Sequence, residues 1–342
     1  MRRRASPRAL VLAVIILACT VAAVASVAVA IKRAHSSSPP AGVHVGGGAT
    51  LDVTSTNKIG GNAGTQVLFR NTIPDKTFGM LAVASLSKPD TREMSDLKCD
   101  RVYYAAGEGL CLASVGAFSS HYDAKIFNSD FQVTNSIEIT GIPSRARVSS
   151  DGTLGAYTTF VNGDSYAPGN FSTRTSIVRM KTGDVIADLE KFKVTRNGQP
   201  FSNRNFNFWG VTFAHDDDHF YATLGSGPTT YLVEGSIKAR LMQVLTTHVE
   251  CPSLSPDGTR IAYKRSLNSH GSWRLYVLDL KTMKKWPLAE TNSVDDQAEW
   301  LDDNTVLYWR GTDVWEVPAD GSGTPKRLLL DAASPTVIPS PS

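Results

Sequence analysis

PSLSPDGTRIAYKRS, residues Pro252–Ser266, decides the fold. It reads as a short strand, a turn centred on Asp257-Gly258, and a second strand. Asp-Gly between two alternating apolar runs is a strong hairpin signal, because glycine takes the positive φ that a tight turn needs. The pattern recurs as ARVSSDGTLGAYTTF (Ala146–Phe160), VTFAHDDDHFYATLG (Val211–Gly225) and AEWLDDNTVLYWRG (Ala298–Gly311), and more loosely as DRVYYAAGEGLCLAS (Asp100–Ser114). Two further strands follow each copy, for example WRLYVLDL (Trp273–Leu280) then KKWPLAET (Lys284–Thr291), and TDVWEVPAD (Thr312–Asp320) then PKRLLLD (Pro325–Asp331). Four strands per repeat is one propeller blade.

Spacing sets the blade count. The apolar anchors of the inner strands, Val102, Val148, Phe213, Leu254 and Trp300, lie 46, 65, 41 and 46 residues apart. Three gaps match the usual blade length of about 40–45 residues. The gap of 65 contains two polar stretches, Asn162–Thr175 and Thr195–Asn207, which read as loop insertions within the third blade. A sixth hairpin is split between the chain ends. ASPTVIP (Ala333–Pro339) starts the inner-strand pattern with nothing after it, and TQVLFRNT (Thr65–Thr72) looks like a second strand with nothing before it. The expectation is an all-β, six-bladed propeller over residues 65–338, with four-stranded antiparallel blades and the C-terminal strand completing the first blade.

Upstream of this domain, residues 1–8 form a basic n-region, and Ala9–Ile31 then run for 23 positions without a charge. At about 1.5 Å per helical residue this length spans a bilayer core of about 30 Å. The preceding arginines place the N-terminus in the cytoplasm and the remainder outside. The alternative is a signal peptide cleaved near Ala30, with Ala28-Val29-Ala30 as its small-residue site. Residues 32–64, rich in Ser, Pro and Gly, read as a flexible tether.

Net charge is +3, and six basic residues with no acidic ones fall in the first 33 positions, leaving the rest close to neutral. No basic stripe argues for nucleic acid. Cys19 lies in the membrane segment. Cys99 and Cys111 flank a short hairpin and are a disulfide candidate, with Cys251 left unpaired; the other reading of Cys111 is a small buried strand residue.

The Ser-x-Asp-Gly hairpin followed by LYVLDL resembles the propeller of TolB-like proteins and the related WD40-like repeat called PD40. The resemblance covers about residues 60–340 and is nearest to actinobacterial TolB-like translocation proteins with an N-terminal signal or anchor. DAASPTVI at the C-terminus and the Cys99/Cys111 hairpin fit that group. The resemblance implies binding to other envelope proteins.

No catalytic signature is present: G-x-S-x-G, H-E-x-x-H and glycine-rich phosphate loops are all missing, and no cofactor motif is found. His215-Asp216-Asp217-Asp218-His219 reads either as a divalent-ion site or as a polar turn, and its alignment with Pro256–Arg260 supports the turn. Trp273, Trp300, Trp309 and Trp315 fall on strands as packing between blades. Aligning the copies places one polar residue before each anchor: Arg101, Arg147, Thr212, Ser253, Glu299 and Thr336. Strand alternation sends this ring to the face opposite the anchors, toward the central channel. Two uses follow, a mouth that binds a peptide or small anionic ligand, or a water-filled channel with polar walls. The leading expectation is a membrane-tethered, non-enzymatic interaction module outside the cytoplasmic membrane, whose partner is an envelope protein or peptide. The alternatives are a lyase or hydrolase with a site at the channel mouth, and an accessory or sensor domain of a neighbouring membrane system.

Overall fold

The structure, a computed structural model, describes residues 51–60, 64–116, 121–161, 172–268 and 271–340. The expected membrane segment and most of the tether lie outside the described residues. Among the described residues no helix is long and apolar enough to cross a membrane.

Six sheets are formed, each with an antiparallel four-strand blade at its heart. Blades two, three, five and six are continuous in sequence, beginning with inner strands Arg101–Ala105, Ile142–Val148, Glu250–Leu254 and Glu299–Asp302. Blade four begins with Phe206–Phe213. Blade one is built from both chain ends: the C-terminal strand Ala332–Ile338 is innermost and pairs antiparallel with Gln66–Asn71, in a register running from Gln66↔Ile338 to Asn71↔Ala332.

The turns explain why the hairpins form. Ser149 Oγ donates to Asp151 Oδ1 (2.5 Å) and accepts from the Leu154 N–H (2.9 Å). Ser255, Asp257 and Arg260 repeat this at 2.5 and 2.9 Å. Gly152 and Gly258 supply φ of +77° and +71° inside these loops. In blade four the same turn is made by His215–His219. Asp217 takes the positive φ of 55°, and Asp216 accepts the N–H groups of Asp218 (3.2 Å) and His219 (2.8 Å).

Both faces of each blade are buried, so the apolar core is divided. Val67 and Phe69 pack with Leu307, Val314 and Leu329 of blade six, while Leu68, between them in sequence, packs with Val102, Tyr104 and Phe127 of blade two. Equivalent clusters join blades two to three, three to four, four to five and five to six. Alternation with apolar residues at both parities is what a strand between two neighbours requires. The disulfide Cys99–Cys111, with Cα atoms 5.4 Å apart, ties the end of blade one to the second strand of blade two, and Cys251 is a buried free thiol.

Two features differ from the sequence expectation. The stretch Thr195–Asn207 is not a loop of blade three. Lys193–Arg196 and Gln199–Phe201 form a hairpin turning at Asn197-Gly198, and its first strand adds in parallel to the outer strand Leu241–Thr247 of blade four. Arg196 stacks over Phe201 and Tyr231 at 5.7 and 5.3 Å, holding the hairpin to that blade. Of the other stretch, residues 162–171 lie outside the described residues, and Ser172 begins the third strand of blade three. The tether also ends sooner than residue 64: Asp52–Ser55 pair in parallel with the outer strand of blade one, and Ile59 is buried against blades one and two.

Arg92, fully buried on the outer strand of blade one, locks the closing strand. Its guanidinium donates to Asn71 Oδ1 (2.6 Å), Asp331 O (3.2 Å) and Leu330 O (2.5 Å). Arg92→Met removes three buried hydrogen bonds, although the Asp331 carbonyl keeps the Thr72 N–H (2.9 Å), and is expected to cost about 3 kcal/mol, read as a lower denaturant midpoint. Deletion from Ala333 onward removes an inner strand, and the protein is expected to lose its cooperative melt; a truncated chain melting like the intact one would refute the closure.

Candidate functional site at the channel centre

The six ring residues come from six different inner strands, and the structure brings them together on the channel axis. They do not leave an open polar wall. Each engages a group of another blade.

Arg147 of blade three reaches across to blade six, where Nη1 donates to Glu299 Oε2 at 2.5 Å. Its Nη2 donates to Ser253 Oγ of blade five (3.2 Å) and to Ala298 O (3.1 Å). Tyr103 of blade two donates from its hydroxyl to Glu299 Oε1 at 3.0 Å, and its ring lies 4.3 Å beneath the Arg147 guanidinium. Thr336 Oγ1 donates to Tyr104 O (2.9 Å), joining blade one to two, and Thr212 Oγ1 accepts the Leu254 N–H (3.1 Å), joining four to five. Arg101 Nε donates to Ser144 O of blade three at 2.8 Å. Arg147, Thr212, Ser253, Glu299 and Thr336 are buried, and Arg101 is half-buried.

Burial dominates the electrostatics of this crossing. It lifts the Glu299 carboxyl above the usual carboxylate range, with Arg147 and the Tyr103 hydroxyl pulling it back. Burial also raises the Tyr103 phenol, and the Glu299 charge adds to that. The pair is a buried ion pair with supporting hydrogen bonds, the arrangement in which loss of one partner strands a charge in a medium that solvates it poorly.

Tyr103, Arg147 and Glu299 line a cavity on each side, so they form the partition between two mouths. The mouth on the side where inner strands begin is shallow, about 30 Å³, and crowded with charge. Arg101, Arg145, Arg147, Asp296 and Glu299 line it, and beyond them Arg145 lies 3.6 Å from Asp295, which Lys264 bonds while facing Glu250 at 4.0 Å. Burial raises the carboxyl of Asp296 there, although Arg145 and Arg101 oppose it. The mouth on the side of the hairpin turns holds a cavity of about 420 Å³. Its wall includes the anchors Val148, Phe213, Leu254, Trp300 and Val337, and its floor is the Arg147–Glu299–Tyr103 crossing. The cup is apolar at its sides and hydrogen-bonding at its base.

Tyr103 and the Asp295-Asp296-Gln297 loop escaped the sequence reading. Tyr103 sits two residues after Arg101 on the same strand face, so period-two alternation was the signal for it. The loop carries no repeat pattern. His215–His219 bind one another as a turn, and among the described residues no cluster of three or more metal-ligating side chains is found. Of the tryptophans, Trp300 bridges blades, donating from Nε1 to Ser253 O at 2.9 Å, Trp315 packs against the cluster between blades five and six, and Trp309 lies 5.7 Å from the guanidinium of Arg101. Trp273 stacks on Lys264 of its own blade, and Trp315 also stacks on Arg310.

TolB from Acinetobacter baumannii matches with a TM-score of 0.57 at 16% identity, over 81% of this chain and 67% of that one. This chain and that TolB share a fold. A chain of a nidogen/laminin complex matches at 0.50 with 11% identity, over 80% of this chain and 98% of that one. A putative TolB from Agrobacterium tumefaciens matches at 0.46 with 12% identity, over 82% of this chain and all of the other. No family model matches the chain, and no curated protein does. At these identities the likeness is one of fold.

The crossing predicts a characteristic mutational pattern. Arg147→Met or Glu299→Leu alone is expected to cost about 3 kcal/mol, whereas the double variant returns close to the parent, as for buried ion pairs replaced as a unit. Chemical denaturation of the four proteins measures the coupling; additive losses would show that the two side chains do not meet.

Proposed function

We propose that this chain is a non-enzymatic interaction module of the cell envelope, tethered to the cytoplasmic membrane by residues 9–31, which captures a peptide segment of another envelope protein at the mouth on the hairpin-turn side. The observation that carries this reading is the partitioned channel. The crossing consumes the charges that a catalytic site would need, and leaves a 420 Å³ cup with apolar walls and a hydrogen-bonding floor. Such a cup suits an inserted side chain with a polar end. Because Arg147 and Glu299 neutralise each other, the cup favours an uncharged group over an anion. The TolB-like fold and the uncharged 23-residue N-terminal segment support the envelope setting.

A photo-crosslinking residue placed at Leu301, on the rim of the cup, tests this in the native membrane. One reproducible adduct with an envelope protein is expected from Leu301, and none from Val185, an exposed residue on the outer strand of blade three. Equal labelling from both positions, or none from Leu301, would remove the cup as a docking site.

A further inference from the structure

The hairpin that extends blade four encloses a second cavity, away from the channel. It lies between the third strand of blade three (Ser172–Arg179), the short 3-10 turn Leu189–Lys191, and the inserted strands Lys193–Arg196 and Gln199–Phe201, and its volume is about 720 Å³. That is within the range of small-molecule sites.

Part of its wall is aromatic. Phe201 and Phe206 lie 5.0 Å apart between ring centres, and Phe206 and Phe208 lie 6.1 Å apart. Thr173 also lines the cavity. It is 6% exposed, and its hydroxyl finds no hydrogen-bond partner among the described residues. A buried hydroxyl left unpaired is costly, so a ligand oxygen beside it is favoured. The acids of the lining are already engaged: Asp188 holds Lys191 at 3.3 Å, and the Glu190 carboxyl, pushed up to about 9 by burial, accepts the Thr175 N–H at 3.2 and 3.3 Å. Lys193, exposed on the hairpin, contributes an ammonium with no partner among the described residues. Among the described residues, the cavity therefore combines aromatic rings, the orphaned Thr173 hydroxyl and the unpaired Lys193 ammonium, with Arg174, Lys191 and Arg204 also in its lining.

We infer that this cavity is a binding site for a small amphiphilic carboxylate, whose apolar body lies against Phe201 and Phe206 and whose carboxylate is held by Lys193 and the Thr173 hydroxyl. The body is an aromatic ring or a short acyl chain. The site depends on the inserted hairpin, and it stands or falls independently of the channel mouth.

Calorimetric titration of the full chain in lipid nanodiscs, corrected against empty discs, tests it with 3-phenylpropionate and octanoate, which share a head group and differ in body. The corresponding alcohols, 3-phenylpropanol and octanol, serve as uncharged partners. One acid is expected to bind at one equivalent, and which acid binds identifies the body. Lys193→Gln and Thr173→Val should each weaken it by about fivefold, and the alcohol should bind more weakly by a similar factor. Binding of neither acid below about 1 mM, or equal binding of acid and alcohol, overturns the inference. So does unchanged affinity in both variants. A further variant with residues 163–170 replaced by a shorter glycine-serine bridge is titrated in parallel. Binding by that variant alone would mean that the chain covers its own cavity, and would also overturn the proposal.

Discussion

The ladder between Ala332–Ile338 and Gln66–Asn71 is the constraint on which everything else rests. A propeller is a ring of sheets that touch only their neighbours, so one missing contact exposes two apolar faces at once. The face of Val67 and Phe69 is covered by blade six, and that of Leu68 by blade two. Both coverings need blade one to be complete, and completeness needs the last strand of the chain in the innermost place. Arg92 makes this a fixed arrangement, because its buried guanidinium has its acceptors on Asn71 of one chain end and Leu330 and Asp331 of the other.

Closure of the ring brings six inner strands to one axis and creates a problem that their side chains solve. The channel is narrow, water has little room, and polar groups aimed inward must find partners. Thr336 and Thr212 bond neighbouring strands, while Arg147 and Glu299, on opposite blades, neutralise each other across the middle. The crossing turns a passage into two unequal mouths. One is filled with interlocked charges, and the other is an apolar cup.

The repeat was legible because its turn chemistry is local. Ser255, Asp257 and Gly258 satisfy one another within four residues, so any copy announces itself whatever its surroundings. Strand alternation singles out the ring residues as a set, but the anchors Val148, Phe213, Leu254, Trp300 and Val337, expected on the opposite face, wall the mouth on the hairpin-turn side together with Arg147, Thr212 and Glu299. The partnership of Arg147 with Glu299 was not legible, because it joins residues 152 apart through a geometry that exists only once all six blades are counted and closed. The hairpin at Lys193–Phe201 was assigned to the wrong blade. Its Asn197-Gly198 turn is a hairpin signal of the same kind as Asp257-Gly258, but the polar residues around it disguise the flanking strands. Its partner strand, Leu241–Thr247, comes later in the chain, and local pattern does not reveal a parallel addition of this kind. The aromatic cavity that the hairpin creates was invisible for the same reason.

Ring closure is tested most directly by native-state hydrogen exchange resolved to peptides. In a closed ring the amides of Ala332–Ile338 open only when the whole propeller opens. Their exchange should therefore match that of the inner strands Glu250–Leu254 and Phe206–Phe213, and should shift with denaturant by the same slope. Fast exchange of Ala332–Ile338, with little denaturant dependence while the other inner strands stay protected, would mean that the C-terminal strand is a loosely attached tail and that the ring is held shut by something else.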